Sequence, residues 1–230
     1  MAASGSERAR PAYYTAYPRP ILWLVPGGEV TVGGDSDSAL GRTMASVEPF
    51  YLSKLPVTNE QLEAFEPGRV RAAAAPGDRD PAVGVSWDEA AAYCAWYAEV
   101  ARKPIRLPGE VEWEHACRAG AAGRWFFGEE EAAAEAYVWH RGNSGAAVPP
   151  LDEKKANGFG LHSMLGGVWE WTASAAEAAA GSGEPARRIL RGGSFREELG
   201  AISCARRRAE PPDARFEDAG FRIAKSLRGP

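Results

Sequence analysis

The sequence of 230 residues has no long apolar run, and it contains only three residues each of cysteine, histidine and methionine. A transmembrane helix needs about 20 consecutive apolar residues, and no stretch approaches that length. Residues 1–11 are small and polar, without the apolar segment of a signal peptide. We therefore expect no membrane partner and a cytoplasmic location, where cysteine residues stay reduced.

The chain also lacks an excess of basic charge, since 27 Lys and Arg residues stand against 31 Asp and Glu residues for a net charge of −4. Binding to nucleic acid depends on a clustered basic face that neutralises phosphates. The run Arg206, Arg207 and Arg208 is the local exception. Alternation along a strand sends neighbouring side chains to opposite faces, so we expect internal ion pairs there and no nucleic-acid partner.

Large aromatic residues and turn-forming residues are plentiful. Eight tryptophans accompany 26 glycines and 17 prolines, and 45% of the residues are apolar. This composition favours a loop-rich fold held together by large aromatic side chains, rather than a helical bundle. We predict one domain over residues 19–226, with a flexible tail at residues 1–18 and a short one at residues 227–230.

Short β-rich runs flank glycine turns. Residues 21–25 and 29–33 enclose Pro-Gly-Gly, which is a hairpin signal, and residues 47–52 predict a third strand. Residues 173–186 are rich in Ala and Glu and predict a surface loop. Four further runs in the second half combine aromatic or β-branched residues with glycine: 125–127, 168–172, 188–191 and 220–224.

Three helices are predicted from their first turns. Thr58 with Gln61, and Ser86 with Glu89, fit the capping box, in which a hydroxyl accepts an N–H of the first turn and the Glu or Gln reaches back. A third helix should follow Gly109, with acidic residues at its positive end, and stop near Gly120.

Several segments occur in a fixed order over about 200 residues and together resemble the formylglycine-generating enzyme, or sulfatase-modifying factor, family. The segments are 23–28 (WLVPGG), 32–34, 56–59 (PVTN), 85–90 (VSWDEA), 92–94, 106–114 (RLPGEVEWE), 157–161 (NGFGL), 166–172 (GGVWEWT), 191–195 (RGGSF) and 220–222 (GFR). The resemblance implies an α+β fold related to C-type lectins, with little regular secondary structure and a groove built by loops.

The same resemblance implies copper chemistry. Members of the family oxidise a substrate cysteine to formylglycine with copper and dioxygen, and the metal lies between two thiolates shortly after the Gly-Gly-Ser segment. Soft thiolates select Cu(I). In this sequence the first of those positions is Glu197, and the second falls in residues 199–202, which contain no cysteine. We therefore do not expect copper or formylglycine formation.

A binding surface is predicted around this turn. Ser194 matches a serine that lines the active site of the family, and Arg191 precedes it in the usual place. For Arg191 and Ser194, the alternative role is turn geometry and strand hydrogen bonding. For Trp171 the alternative is packing, and for Glu197 and Glu198 it is pairing with Arg206–Arg208. The predicted surface consists of Trp171 at its edge, Arg191, Ser194, Glu197 and Glu198.

The three cysteines and the remaining metal ligands are assigned by the resemblance. Cys117 and Cys204 match two positions that form a structural disulfide in the animal enzymes, whereas the partner position of Cys94 is Ile223. In a reducing compartment we expect Cys117 and Cys204 to touch without bonding. Calcium is the other ion of the family, and Asn157 and Glu170 remain as oxygen ligands for it. The spacing of the histidines does not fit a pair of metal ligands on one helix.

Two functions remain open. The first is a non-catalytic binding or regulatory protein that recognises a peptide or protein partner through its C-terminal loops, as a pseudoenzyme of the family. The second is an enzyme that keeps the groove for altered, non-copper chemistry, such as the oxidative maturation of a peptide or small molecule. Fold alone does not decide between them.

Overall fold

Three small sheets and three α-helices are connected by long loops in the computed structural model, which describes residues 18–34, 41–176 and 186–227. The strands are β1 (Leu22–Val25), β2 (Gly28–Val32), β3 (Thr43–Val47), β4 (Phe50–Ser53), β5 (Ile105–Arg106), β6 (Trp169–Ala175), β7 (Arg188–Arg191), β8 (Arg207–Glu210), β9 (Ala219–Phe221) and β10 (Ala224–Ser226). The helices are α1 (Asn59–Glu63), α2 (Trp87–Ala101) and α3 (Glu110–Arg118), with short 3₁₀ turns at Glu131–Ala136 and Leu199–Ala201.

The first and last strands belong to the same sheet, on either side of β4. One sheet has the order β1-β4-β10-β5, a second pairs β2 with β3, and a third has the order β8-β7-β6-β9. Most neighbours are antiparallel, whereas β6 and β9 run parallel with Trp169 opposite Ala219. The mixed helix and strand content confirms the predicted α+β class. The predicted tails lie outside the described residues except for Pro18 and Leu227.

The hairpin predicted for residues 21–33 is wrong. β1 pairs with β4, whereas β2 pairs with β3 in a different sheet. Gly27 lies between β1 and β2, and a Cβ on this residue would stand 2.7 Å from the Val47 carbonyl oxygen and 2.8 Å from Pro49. This close approach lets the chain leave one sheet for the next. Pro49 also divides the strand predicted over residues 47–52, because proline donates no ladder hydrogen bond.

One prediction for the second half also needs correction. The surface loop predicted over residues 173–186 begins later, because β6 continues to Ala175. Its middle, residues 177–185, lies outside the described residues.

The helix starts follow the sequence closely. Ser86 accepts from the Glu89 N–H, and the Glu89 carboxylate accepts from the Ser86 N–H. At α1, the Gln61 side chain accepts from the Thr58 N–H, which is the reciprocal bond of the predicted capping box. The third helix begins after Gly109, as predicted, and ends at Arg118.

Two apolar clusters form most of the core. One includes Trp113, Cys117 and Cys204, and the other includes Trp169 and Trp171. Buried ion pairs join β7 to α3, and β6 to the segment after β9. Within the described residues, no helix is both long enough and apolar enough to cross a membrane.

Candidate functional site

A sharp turn after β7 carries most of the predicted site. Gly192 and Gly193 have φ angles of +97° and +76°, which favour glycine. A Cβ on Gly192 would stand 3.0 Å from the Trp113 ring and 3.1 Å from the Met164 carbonyl oxygen. The two glycines therefore let the backbone turn against the core before it reaches Ser194.

Arg191 is held inside the protein. Its guanidinium donates to Glu110 at 3.0 Å, to the Cys204 carbonyl oxygen at 2.7 Å, and to Glu114. Glu114 also pairs with Arg118 at 2.7 Å. Arg191 is only 1% exposed, so it cannot line a binding surface as predicted. Its contacts are those of a structural anchor that joins β7 to α3.

Ser194 is also completely buried. Its hydroxyl donates to the Oδ2 atom of Asp218 at 2.7 Å, and its backbone N–H donates to Oε2 of Glu197 at 3.2 Å. One serine therefore joins two carboxylate groups at the start of the loop. A partner cannot touch its hydroxyl without a rearrangement of this loop.

Glu197 and Glu198 point to different environments. The Glu197 side chain is 22% exposed and lies 3.9 Å from Arg206, whereas that of Glu198 is 69% exposed and pairs with Arg141 at 3.4 Å. Burial raises the pKa of the Glu197 carboxyl above its usual range, while the Ser194 N–H and the charge of Arg206 act in the opposite direction. Of the five predicted site residues, these two reach the surface.

Trp171 does not lie at the edge of a groove. Its ring is completely buried, and its Nε1 donates to the Val85 carbonyl oxygen at 2.8 Å. Trp169, two residues earlier and on the same face of β6, is buried as well. Both rings fill the core, which corrects the prediction that Trp171 borders the site.

The arginine run after Cys204 makes the internal ion pairs that the sequence predicted. Arg206 lies 3.9 Å from Glu197, Arg207 lies 2.8 Å from Glu110 and Arg208 lies 3.5 Å from Glu210.

The cysteines also lie where predicted. The sulfur atoms of Cys117 and Cys204 are 2.8 Å apart in the core and are not bonded. Cys94 is buried on α2 and unpaired. Burial raises the pKa of the Cys94 and Cys117 thiols, so both stay protonated at neutral pH.

The calcium ligands proposed from the sequence are already used. The Asn157 side chain donates to two carbonyl groups of α3 and accepts from two N–H groups of its own turn. Glu170 accepts from Arg222 through both oxygens at 2.7 Å and from the Trp113 ring N–H at 2.6 Å. Every side-chain oxygen of the two residues therefore already accepts a hydrogen bond from a protein donor. No group of three His, Cys, Asp or Glu in the described ranges could hold a metal.

Several residues at the turn were missed by the sequence reasoning. Asp218 lies two residues before the Gly-Phe-Arg segment, and no spacing relates it to Ser194. Arg141 reaches the turn from a distant loop, where its backbone N–H donates to the Glu197 carbonyl oxygen at 2.9 Å. Arg196 pairs with Glu217 at 2.9 Å. These contacts join segments that are distant in the sequence, and a single sequence does not reveal them.

Comparison with known proteins identifies the family. The model of the sulfatase-modifying factor enzyme 1-like domain matches residues 12–227. The chain belongs to this family. The match covers nearly all of the sequence, as the order of the motifs led us to expect.

Relatives of this sulfatase-modifying factor domain include active and inactive proteins. The formylglycine-generating enzyme of Bos taurus is 33% identical over 168 residues, covering 63% of this chain and 43% of the relative. The inactive C-alpha-formylglycine-generating enzyme 2 of Bos taurus is 33% identical over 165 residues, covering 65% and 52%. The chain thus spans about half the length of these curated relatives. The structure of PvdO from Pseudomonas aeruginosa has a TM-score of 0.78 and 25% identity, covering 90% of this chain and 95% of that chain.

The residues at the turn of this sulfatase-modifying factor domain do not fit copper. Cu(I) prefers soft thiolates, whereas the groups at the turn are the carboxylates of Glu197 and Asp218 and the hydroxyl of Ser194. The two adjacent thiols, Cys117 and Cys204, are completely buried in the core. We derive no copper-dependent step from this arrangement.

Proposed function

We propose that this protein is a non-catalytic binding or regulatory member of the sulfatase-modifying factor family. Its recognition surface is the loop at residues 196–198 together with the neighbouring Arg141 and Glu217. In this proposal the buried residues Arg191 and Ser194 hold the loop in place and do not touch the partner. The partner is a peptide or a protein.

The observation that carries this proposal is the environment of Glu197. Its carboxylate accepts from the Ser194 N–H and faces Arg206, at the position where the resemblance to the family expects a copper thiolate. A hard anionic group cannot replace a soft Cu(I) ligand, but it can accept hydrogen bonds from a partner. The inactive relative in Bos taurus supports the view that the family includes members without the oxidase activity.

The carboxylates around the loop can accept hydrogen bonds from a partner with donor groups or a cationic group. Glu198 and Glu217 are each about 69% exposed, and their pairs with Arg141 and Arg196 lie at the surface. Such exposed pairs contribute only about 0 to 1 kcal/mol, so a partner can separate them at low cost. Loops held by a rigid scaffold are where binding residues commonly lie.

The experiment compares proteins captured by the immobilised wild-type chain and by a Glu197→Gln/Glu198→Gln variant. Glutamine keeps an oxygen that can accept from the Ser194 N–H, so the fold is retained while both charges are lost. We expect a partner retained by the wild type to bind the variant at least about tenfold more weakly. The reason is that the variant loses the charge-assisted hydrogen bonds of two carboxylates. Lys103→Glu, at an exposed position after α2, is the control. Equal retention by both proteins would contradict the proposal.

The alternative is an enzyme with altered, non-copper chemistry, and the raised pKa of Glu197 is the observation that favours it. A partly buried carboxyl with a raised pKa is a candidate for proton transfer to or from a substrate. A reaction that depends on Glu197 would disappear in a Glu197→Gln variant without a change in partner affinity. Loss of affinity instead of rate supports the binding function.

A further inference from the structure

Strand β1 lies at the edge of the sheet β1-β4-β10-β5. Among the described residues it pairs with β4 alone, in a register that places Leu22 opposite Ser53 and Val25 opposite Phe50. One long side of β1 therefore has no neighbouring strand in the described part of the chain. Such an edge offers backbone donors and acceptors to a further strand.

The backbone of β1 directs two of its residues toward this open side. The Lys54 N–H donates to the Ile21 carbonyl oxygen at 2.8 Å, so the backbone polar groups of Ile21 face β4. Alternate residues of an antiparallel strand face the same neighbour, so Trp23 faces β4 as well. Leu22 and Leu24 therefore direct their N–H and C=O groups away from β4. No hydrogen bond between described residues uses these four outward groups.

The side chains along the edge are apolar and exposed. Ile21 is 64% exposed, Trp23 46% and Leu24 48%. Protein edges are commonly protected by charged side chains, yet residues 20–26 contain none. The only protective residues are Pro20 and Pro26, one at each end of the segment. The edge is thus suited to pairing with a short apolar strand.

The sequence of the edge is symmetric about Trp23. Residues 20–26 read Pro-Ile-Leu-Trp-Leu-Val-Pro, so each residue has a residue of the same kind at the same distance on the other side of Trp23. Two identical strands related by a twofold axis at Trp23 run antiparallel and place Leu22 of one copy opposite Leu24 of the other. That register satisfies all four outward groups of each strand with four hydrogen bonds. The symmetry of the segment therefore favours a second copy of this chain as the occupant.

We propose that two copies of this chain associate by antiparallel pairing of their β1 strands. The pairing joins two four-stranded sheets into one sheet of eight strands. At the axis the two Trp23 residues form a cross-strand aromatic pair, and Leu22 of each copy meets Leu24 of the other on the opposite face. The pairing stops at the prolines, because proline donates no ladder hydrogen bond. This surface shares no residue with the loop at residues 196–198, so the two proposals can fail separately.

The short strand sets the expected strength of the dimer. A pair of four-residue strands buries less than the roughly 800 Å² per partner of a standard interface. We therefore expect a reversible dimer with a Kd of about 1 to 100 µM. Because the segment carries no charge, added salt should not weaken the dimer, in contrast to an association held by ion pairs.

Sedimentation velocity of the full chain over about 1 to 200 µM measures this association. We expect a reversible shift from monomer to dimer. Leu24→Lys places a charge in each half of the strand pair and should weaken the dimer at least about tenfold. Leu227→Lys, at a position of nearly equal exposure outside β1, is the matched control and should leave the dimer unchanged. A wild type that stays monomeric throughout, that forms only larger aggregates, or that associates no better than Leu24→Lys would overturn the proposal.

Disulfide formation tests the register independently. On the axis, the Cα atoms of Trp23→Cys in the two copies would lie about 4.5 Å apart, which a disulfide can bridge. The Cα atoms of Leu24→Cys would lie about 8 Å apart, beyond the limit of about 7 Å. With diamide as the oxidant, we expect a covalent dimer from Trp23→Cys and little from Leu24→Cys, as seen on a non-reducing gel. The native cysteines are buried. Equal linking of both variants, or linking of Leu24→Cys alone, would overturn the symmetric strand pair.

Discussion

The sulfur atoms of Cys117 and Cys204 lie 2.8 Å apart in the core, although the two residues are 87 positions apart in the sequence. We expect a mild oxidant that reaches the core to join them, which mass spectrometry of peptides would detect as a Cys117–Cys204 link. Cys94 should stay free. A link between Cys94 and either of the others would contradict the structure.

In the native protein all three thiols should resist iodoacetamide at about pH 8, because all three are buried. Burial also raises the pKa of the Cys94 and Cys117 thiols, and the thiolate is the reactive form. Unfolding in urea should expose all three to labelling. Rapid labelling of the native chain at Cys94 would show that α2 is less well packed than the structure indicates.

Arg222 and Glu170 form a buried ion pair in which each charge depends on the other. Both are at most 1% exposed, and Arg222 also donates to the Ser53 carbonyl oxygen at 3.0 Å. Arg222→Met would leave the Glu170 carboxylate without its cation, so we expect a loss of about 3 to 5 kcal/mol in the free energy of unfolding. Arg187→Met, which removes an exposed pair with Glu210, should cost about 0 to 1 kcal/mol. Urea denaturation measures both, and equal losses would contradict the burial of the pair.

Gly166 should tolerate no side chain. Its φ is +67°, and a Cβ would stand 1.9 Å from the Trp139 carbonyl oxygen. Gly166→Ala should therefore lower the free energy of unfolding by about 3 kcal/mol or more. A Cβ on Gly200 would meet nothing within 4 Å, so Gly200→Ala is the control and should be nearly neutral. A stable Gly166→Ala variant would show that this turn has a different conformation.

Glu197 should make stability depend on pH in a defined direction. Its pKa is raised in the folded state, so ionisation costs the folded state free energy once the pH exceeds that pKa, and the cost is absent below the unfolded pKa. Glu197→Gln removes this cost. The stability of the variant relative to the wild type should therefore be greater at about pH 7 than at about pH 4. Urea midpoints at the two pH values measure it, and the opposite trend would mean that ion pairing with Arg206 outweighs burial.

The helices were predictable because their signals are local. Ser86 and Glu89 satisfy each other within one turn, and the glycine after Pro108 opens α3 as expected. The pairing of the strands at residues 21–33 was not predictable, because a Pro-Gly-Gly turn can close a hairpin or carry the chain to another sheet. Only the contacts of Gly27 with Val47 and Pro49, which are distant in sequence, decide between the two.

The candidate site was predictable in its turn but not in its surface. The pattern Arg-Gly-Gly-Ser locates the turn because two consecutive glycines permit its positive φ angles. It does not reveal that Arg191 and Ser194 are buried by partners from α3 and from the segment before β9, Glu114 and Asp218. Alternation along β6 likewise does not say which face Trp171 occupies. These outcomes depend on tertiary contacts.

The most direct test of the account is incubation of the purified chain with a Cys-x-Pro-x-Arg peptide, copper and dioxygen, followed by mass spectrometry. At the turn after β7, the carboxylates of Glu197 and Asp218 accept hydrogen bonds from Ser194. The described residues of this turn, 192–198, include no cysteine. We expect the peptide to keep its cysteine unchanged, under conditions in which an active formylglycine-generating enzyme converts it. A mass loss that matches aldehyde formation in the peptide would contradict the proposed non-catalytic function.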